Sequence, residues 1–314
     1  MPILNPALSP EQPIVAVETS LARDDGIGTL YRYMAFPALA DSTDRARDRR
    51  TWVERLLSHG EIYFPLTPQF NDPFETSPQF RIPRRSDGSI DTETYIRALH
   101  EVYGPRWGWD AARMAQAESE LLADVKSGAF EAKTASVEAI WTARVRTDFP
   151  MCCLTRDRDN VPMWSYYAES HTGVCIHMDA TVAPFGAAMK VIYSDYYPFL
   201  PQPLAGLPPK FVIQQVLLTK ARSWEHEREY RLIDMPNYDT GVRALDPPIA
   251  ERISPNLFRF RPRHIVGLTC GARMDDAAIE RLLKLCGERA PRLPVWQARI
   301  SKYSFALTFE SIHG

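Results

Sequence analysis

Hydrophobic and polar positions change period several times along the chain, and each change marks an element. The run TLYRYMAF at residues 29–36 reads as a short strand. Asp41, Ser42, Thr43 and Asp44 supply helix-capping oxygens, so a helix is predicted from there to about His59, with Gly60 as its stop. Residues 61–65 (EIYFP) return to strand, and the turn-rich TPQFNDPFE follows. Residues 91–147 are rich in Ala, Glu, Arg and Met at helical spacing. They predict two or three helices, broken at Gly104-Pro105 and Ser127-Gly128. The second half returns to short strands at 151–155, 174–179, 190–193, 227–234, 264–270, 295–300 and 304–309. Helices are predicted there at 162–170, 210–220 and 275–287, and residues 235–260 read as irregular.

Residues 1–28 are Pro-rich, Gly-punctuated and aperiodic, which predicts a loose N-terminal arm. The remaining pattern predicts an α+β fold of small mixed or antiparallel sheets with flanking helices. It reads as a single domain over 29–314 with a helical insertion at about 91–147. The 314 residues, 45% apolar and 24% charged, have the composition of an ordinary globular protein with a sizeable core.

Charge and cysteine usage narrow the classes. With 37 basic and 39 acidic side chains the net charge is −2, so binding through phosphate neutralisation is not favoured and nucleic acid is not an expected partner. Five arginines between Arg45 and Arg55, with Asp44, Asp48 and Glu54 among them, read as a solvated helix face with mixed ion pairs. The five cysteines are odd in number and form no C-x-x-C pair. This argues against a disulfide framework or a zinc site, and no metal is expected. The N-terminal stretch lacks a basic segment followed by an apolar core, and no apolar run is long enough to span a bilayer. The expectation is a cytoplasmic protein without a membrane partner.

Three segments carry candidate chemistry. In Asn71-Asp72-Pro73-Phe74-Glu75, an amide and a carboxylate sit in a turn just past a strand, where they can fix a polar ligand or simply cap the next element. In PMWSYYA, Trp164, Tyr167 and Ala168 share one helix face with His171 a turn further on. That stripe is either core or a wall for stacking a planar ring. The third runs from Lys220 through Trp224 to Ile233. If it is extended from Glu225, then Glu225, Glu227, Glu229 and Arg231 share a face, and three like charges in a row need an offset. They form either a solvated edge strand or a carboxylate cluster facing a cleft. No G-x-S-x-G elbow or phosphate-binding glycine loop is present, and His171, His177 and His226 are scattered.

These segments, with LYRYMAF, LLSHGEIYFP, CCLT and IVGLTCGARM in the same order, resemble the bacterial family known as domain of unknown function 2971, over about residues 29–309. Cys153-Leu154-Thr155 departs from the family pattern, which has an aromatic and then a serine there, and the 91–147 region is less family-like. The resemblance implies, by analogy of element order, an ADP-ribosyltransferase-like scaffold. On that scaffold Arg32 takes the first-strand position, Tyr166 or Tyr167 the middle platform, and Glu227 or Glu229 the late-strand acid. The implied function is NAD cleavage with transfer or hydrolysis of ADP-ribose, in a bacterial toxin or defence setting with a protein acceptor among the partners. Arg32 would hold pyrophosphate. Asn71, Asp72, Trp164, Tyr167, Lys220 and Arg231 would line the NAD site. Two alternatives stand beside it: metal-assisted phosphodiester chemistry by Asp72, Glu75, Glu227 and Glu229, and a nucleotide-binding or protein-interaction module without catalysis.

Overall fold

A computed structural model of the chain describes residues 2–4, 16–201, 209–235, 250–289 and 291–314. In chain order the strands are β1 (Pro2–Leu4), β2 (Ala16–Glu18), β3 (Thr29–Met34), β4 (Glu61–Tyr63), β5 (Gln79–Arg81), β6 (Met151–Thr155), β7 (Val174–Asp179), β8 (Met189–Lys190), β9 (Ile192–Ser194), β10 (Phe199–Pro201), β11 (Thr219–Ala221), β12 (Glu229–Ile233), β13 (Ala250–Ser254), β14 (Leu257–Phe260), β15 (Ile265–Cys270), β16 (Val295–Ile300) and β17 (Leu307–His313). The helices are α1 (Asp44–His59), α2 (Thr92–Ala98), α3 (Gly104–Trp107), α4 (Ala111–Ser127), α5 (Ala129–Asp148), α6 (Val161–Tyr166), α7 (Pro209–Leu218) and α8 (Asp276–Arg289). The fold is α+β.

The chain divides into two compact units, each assembled from separate stretches of sequence. The first comprises residues 1–19, 70–148 and 192–222, and the second residues 20–69, 149–191 and 223–314. In the first unit three two-stranded pairs, β1 with β2, β5 with β10 and β9 with β11, accompany α2 to α5 and α7. The last two pairs are parallel. The β1–β2 pair lies within the stretch expected as a loose arm, and residues 5–15 of that stretch lie outside the described residues. The helical character of 91–147 appears as α2 to α5, with the expected break at Gly128. At Gly104-Pro105 the expected break does not form: Gly104 takes helical φ −56°, the chain stays helical from Thr92 to Trp107, and it ends at Gly108 in the left-handed conformation.

The second unit is built on an eight-stranded sheet, larger than the small sheets expected, in the order β17-β16-β15-β7-β3-β6-β12-β8. Its pairings are antiparallel except β15 with β16. Leu30, Leu154, Ile176, Tyr230 and Leu268 join α1 and α8 residues such as Val53, Leu56 and Leu282 in the main core. The buried α1 positions Ala46, Val53, Leu56 and Leu57 follow helical spacing. Thr43 caps α1 by accepting from the Ala46 N–H, and Gly60 ends it in the left-handed conformation. A smaller sheet, β13-β14-β4, occupies part of the stretch read as irregular. Residues 236–249 of that stretch lie outside the described residues.

Three boundaries differ from the sequence reading. Strand β12 begins at Glu229, because residues 222–227 form a 3-10 turn and Arg228 takes φ 45°. The predicted one-faced row Glu225, Glu227, Glu229, Arg231 therefore does not form. Helix α6 ends at Tyr166, and Glu169, Ser170 and His171 all take positive φ behind it. Helix α7 gives way at Thr219 to β11, so Lys220 lies on a strand.

Gly60 and Gly26 separate two costs of losing a glycine in the second unit. Both have positive φ, but a Cβ on Gly60 would lie 2.1 Å from the Phe260 carbonyl oxygen, whereas nothing lies within 4 Å of one on Gly26. Gly26→Ala is expected to cost about 1 kcal/mol, the left-handed penalty alone. Gly60→Ala must also displace β14 backbone and should cost at least about twice that. Urea unfolding of the two variants measures the difference.

Candidate functional site

The second unit contains a cleft of about 280 Å³ whose walls include Arg32 from β3, Arg49 and Trp52 from α1, Tyr63 from β4, and Tyr167 from the turn after α6. It forms where the sheet loses a pairing. Strand β3 pairs with β7 over all six residues, Thr29 to Met34, but with β6 at the single pair Tyr31–Thr155. Beyond that pair the Arg32 side chain bridges the strands. Its guanidinium donates to Cys152 Sγ on β6 and to the Tyr63 carbonyl oxygen on β4.

Arg32 is half-buried, and among the described residues no carboxylate pairs with it. Only two of its five N–H donors have partners there. The other charges nearby are matched. Arg49 pairs with Glu169 at 2.8 Å. Glu61 is buried between Arg55 at 2.6 Å and Arg259 at 2.8 Å. The Arg259 hydrogen bond, helped by Arg55, holds the Glu61 carboxyl below its ordinary range against the opposing effect of burial. Trp52 and Tyr63 pack at 5.6 Å between centroids and give the cleft an aromatic side.

Tyr167 links the cleft to the late acids. Its hydroxyl donates to Glu227 Oε1 at 2.7 Å. Asn160 sets up this contact. Its side-chain oxygen caps α6 by accepting from the Met163 N–H, while its amide nitrogen donates to the His226 carbonyl oxygen. The α6 start is thus tied to the 3-10 turn that carries Glu227.

The other expected site residues are placed differently. Glu229 is buried and bonded in bidentate fashion to Arg231, at 2.7 and 3.0 Å, on a strand flanked by β6 and β8. Neither an exposed edge nor a cleft-facing acid describes it. Trp164 is fully buried, packs edge-on to Tyr33 at 5.1 Å and donates to the Arg158 carbonyl oxygen. It belongs to the core, as the aromatic-stripe alternative allowed. Asn71, Asp72 and Lys220 lie in the first unit. Asn71 is exposed. Asp72 accepts from the Phe74 N–H in a local turn. Lys220 is buried and pairs with Glu75 at 3.0 Å. Of the residues expected from sequence, the cleft therefore gathers Arg32 and Tyr167, with Glu227 behind the tyrosine.

Arg49, Trp52 and Tyr63 were not singled out by sequence. Arg49, Trp52 and Leu56 do recur at helical spacing, which was the available signal, but the arginine run around them reads as surface. No group of three His, Cys, Asp or Glu side chains suited to a metal ion occurs among the described residues. None of the helices described is long and apolar enough to cross a membrane. No family model, no curated protein and no solved structure matches this chain.

His177 lies on the same sheet, buried against Trp296 at 5.1 Å and bonded to the Thr269 hydroxyl at 2.9 Å. Burial, aided by Arg158, pushes its pKa from 6.5 down to about 3. As pH falls through 6.5 the unfolded chain takes up this proton while the folded chain does not, so stability is lost progressively down to about pH 3. The full loss from this group is on the order of 5 kcal/mol. His177→Asn should flatten the pH dependence of the urea midpoint between pH 6.5 and 4.

The acids also separate by stability. Glu229→Gln leaves the buried Arg231 guanidinium without its bidentate carboxylate and should cost about 3–5 kcal/mol. Glu227→Gln keeps a side-chain oxygen for the Tyr167 hydroxyl and should cost less. Equal urea midpoints for wild type and Glu229→Gln would remove the structural role assigned to that pair.

Proposed function

We propose that this chain is an ADP-ribosyltransferase-like protein of the family its segments resemble, and that the second unit's cleft binds and cleaves NAD. The observation that supports this most directly is Arg32, a half-buried guanidinium lining a cleft with no carboxylate partner among the described residues. Keeping a charge partly out of water without a counter-ion is costly, and an anionic ligand relieves that cost. The cleft's volume lies near the lower end for ligand pockets, so it suits the nicotinamide-ribose part of a dinucleotide better than the whole.

In this reading the pyrophosphate pairs with Arg32 and a ring stacks on the Trp52 side. Glu227 is the acid of choice, because Glu229 is committed to Arg231. A ribose hydroxyl would replace the Tyr167 hydroxyl as donor to Glu227. The bond between ribose C1′ and the nicotinamide nitrogen breaks with its electron pair leaving on nicotinamide. The Glu227 carboxylate stabilises the cation that develops on the ribose. With water as nucleophile, a new C1′–O bond forms, and NAD and water become ADP-ribose, nicotinamide and a proton. With a protein acceptor, its nucleophilic atom takes the place of water.

Proton NMR of NAD incubated with the purified protein should show free nicotinamide accumulating. Glu227→Gln is expected to slow release about 100-fold or more, and Arg32→Gln to raise KM. Unchanged NAD with unbroadened lines at high protein concentration would overturn the proposal. Broadened lines without release would replace it with nucleotide binding alone.

A further inference from the structure

The first unit contains a second cavity, of about 270 Å³, which the reading above does not use. It sits at the ends of the two parallel strand pairs. The loop between β9 and β10 contributes Tyr196 and Tyr197, β10 contributes Phe199, the segment before β5 contributes Phe74 and Thr76, and β11 contributes Lys220. Phe74, Tyr196 and Tyr197 are 59%, 44% and 37% exposed. Three large aromatic side chains in water around one concavity are unusual for a surface with no ligand.

The polar side of this cavity is unfinished. Thr76 is 2% exposed, and its hydroxyl is buried with no hydrogen-bond partner among the described residues. A buried hydroxyl without a partner is costly, and natural proteins keep few of them. Thr76 also takes φ 53°, which is strained for a β-branched residue. The charges around the cavity are matched, by contrast. Lys220 pairs with Glu75 at 3.0 Å, and Arg222 with Asp195 at 2.8 Å. The cavity therefore makes no demand for a net charge on its occupant. Its requirements are a flat apolar body for the aromatic walls and one polar atom for the Thr76 hydroxyl.

We propose that this cavity is a binding site for a neutral, planar heteroaromatic ring of the nucleobase class, stacked between the exposed aromatic side chains and hydrogen-bonded to Thr76. A nucleobase has a π-face for stacking and ring nitrogens that accept a hydrogen bond. The cations named around it, Lys220 and Arg222, already have carboxylate partners that a phosphate or carboxylate would have to displace.

The test titrates the full chain with adenine and, separately, with indole, following tyrosine and tryptophan fluorescence and ligand-observed NMR. Indole is as flat as adenine but lacks a ring-nitrogen acceptor. Adenine should bind at least fivefold more tightly than indole. Thr76→Val keeps the branched side chain and removes the hydroxyl. It should fold with a melting temperature at or above wild type and weaken adenine five- to tenfold, with indole unchanged. Tyr197→Ala, at an exposed position that tolerates truncation, should weaken both ligands. Arg32→Gln, in the other unit, should change neither, which separates this site from the NAD reading. No binding of adenine at millimolar concentration, or affinity untouched by Thr76→Val and Tyr197→Ala, would overturn the proposal. Loss on Arg32→Gln alone would overturn it equally, by moving the ligand to the other cleft.

Discussion

In the second unit β3 pairs fully with β7 and with β6 only through Tyr31 and Thr155, and the surrounding structure follows from that partial pairing. A sheet that stops pairing inside a core leaves backbone groups needing partners. Here the Arg32 guanidinium enters the gap and reaches Cys152 on one side and the Tyr63 carbonyl on the other. The cleft, its aromatic side and the adjacent turn of α6 are arranged around that side chain. A neutral residue would lose both bonds at once, and a carboxylate close by would cancel the charge the cleft presents. In the proposed reading, structural bridging and anion recognition fall to the same guanidinium.

The remaining charges in the second unit explain why Arg32 stands out. Glu229 is locked to Arg231 inside the sheet, and Glu61 is clamped by Arg55 and Arg259. A buried ion pair adds little net stability against an apolar replacement, yet removing one partner is costly, so both acids are structural. Glu227 is placed differently, with Oε1 accepting from the hydroxyl of Tyr167, a residue of the cleft wall. Two acids two residues apart thus take different partners. The left-handed turn at Arg228 divides them by ending the 3-10 turn before the strand begins.

Sequence by itself determined most of the local structure. The α1 helix with its Thr43 cap and Gly60 stop, the break at Gly128, and strands such as β6 and β7 follow from capping chemistry and periodicity. These signals act over a few residues and need no partner. Tertiary structure decided which polar residues have work left over. Glu227 and Glu229 look alike in sequence, as do Trp164 and Tyr167. They differ because the turn at Arg228 leaves Arg231 on the strand with Glu229 alone, while the Arg158 carbonyl holds Trp164 and Asn160 ties the start of α6 to the turn carrying Glu227. Whether a charge or hydroxyl is satisfied depends on contacts between distant segments. That Arg32 has no carboxylate partner and the Thr76 hydroxyl no hydrogen-bond partner among the described residues therefore became visible only in the folded chain.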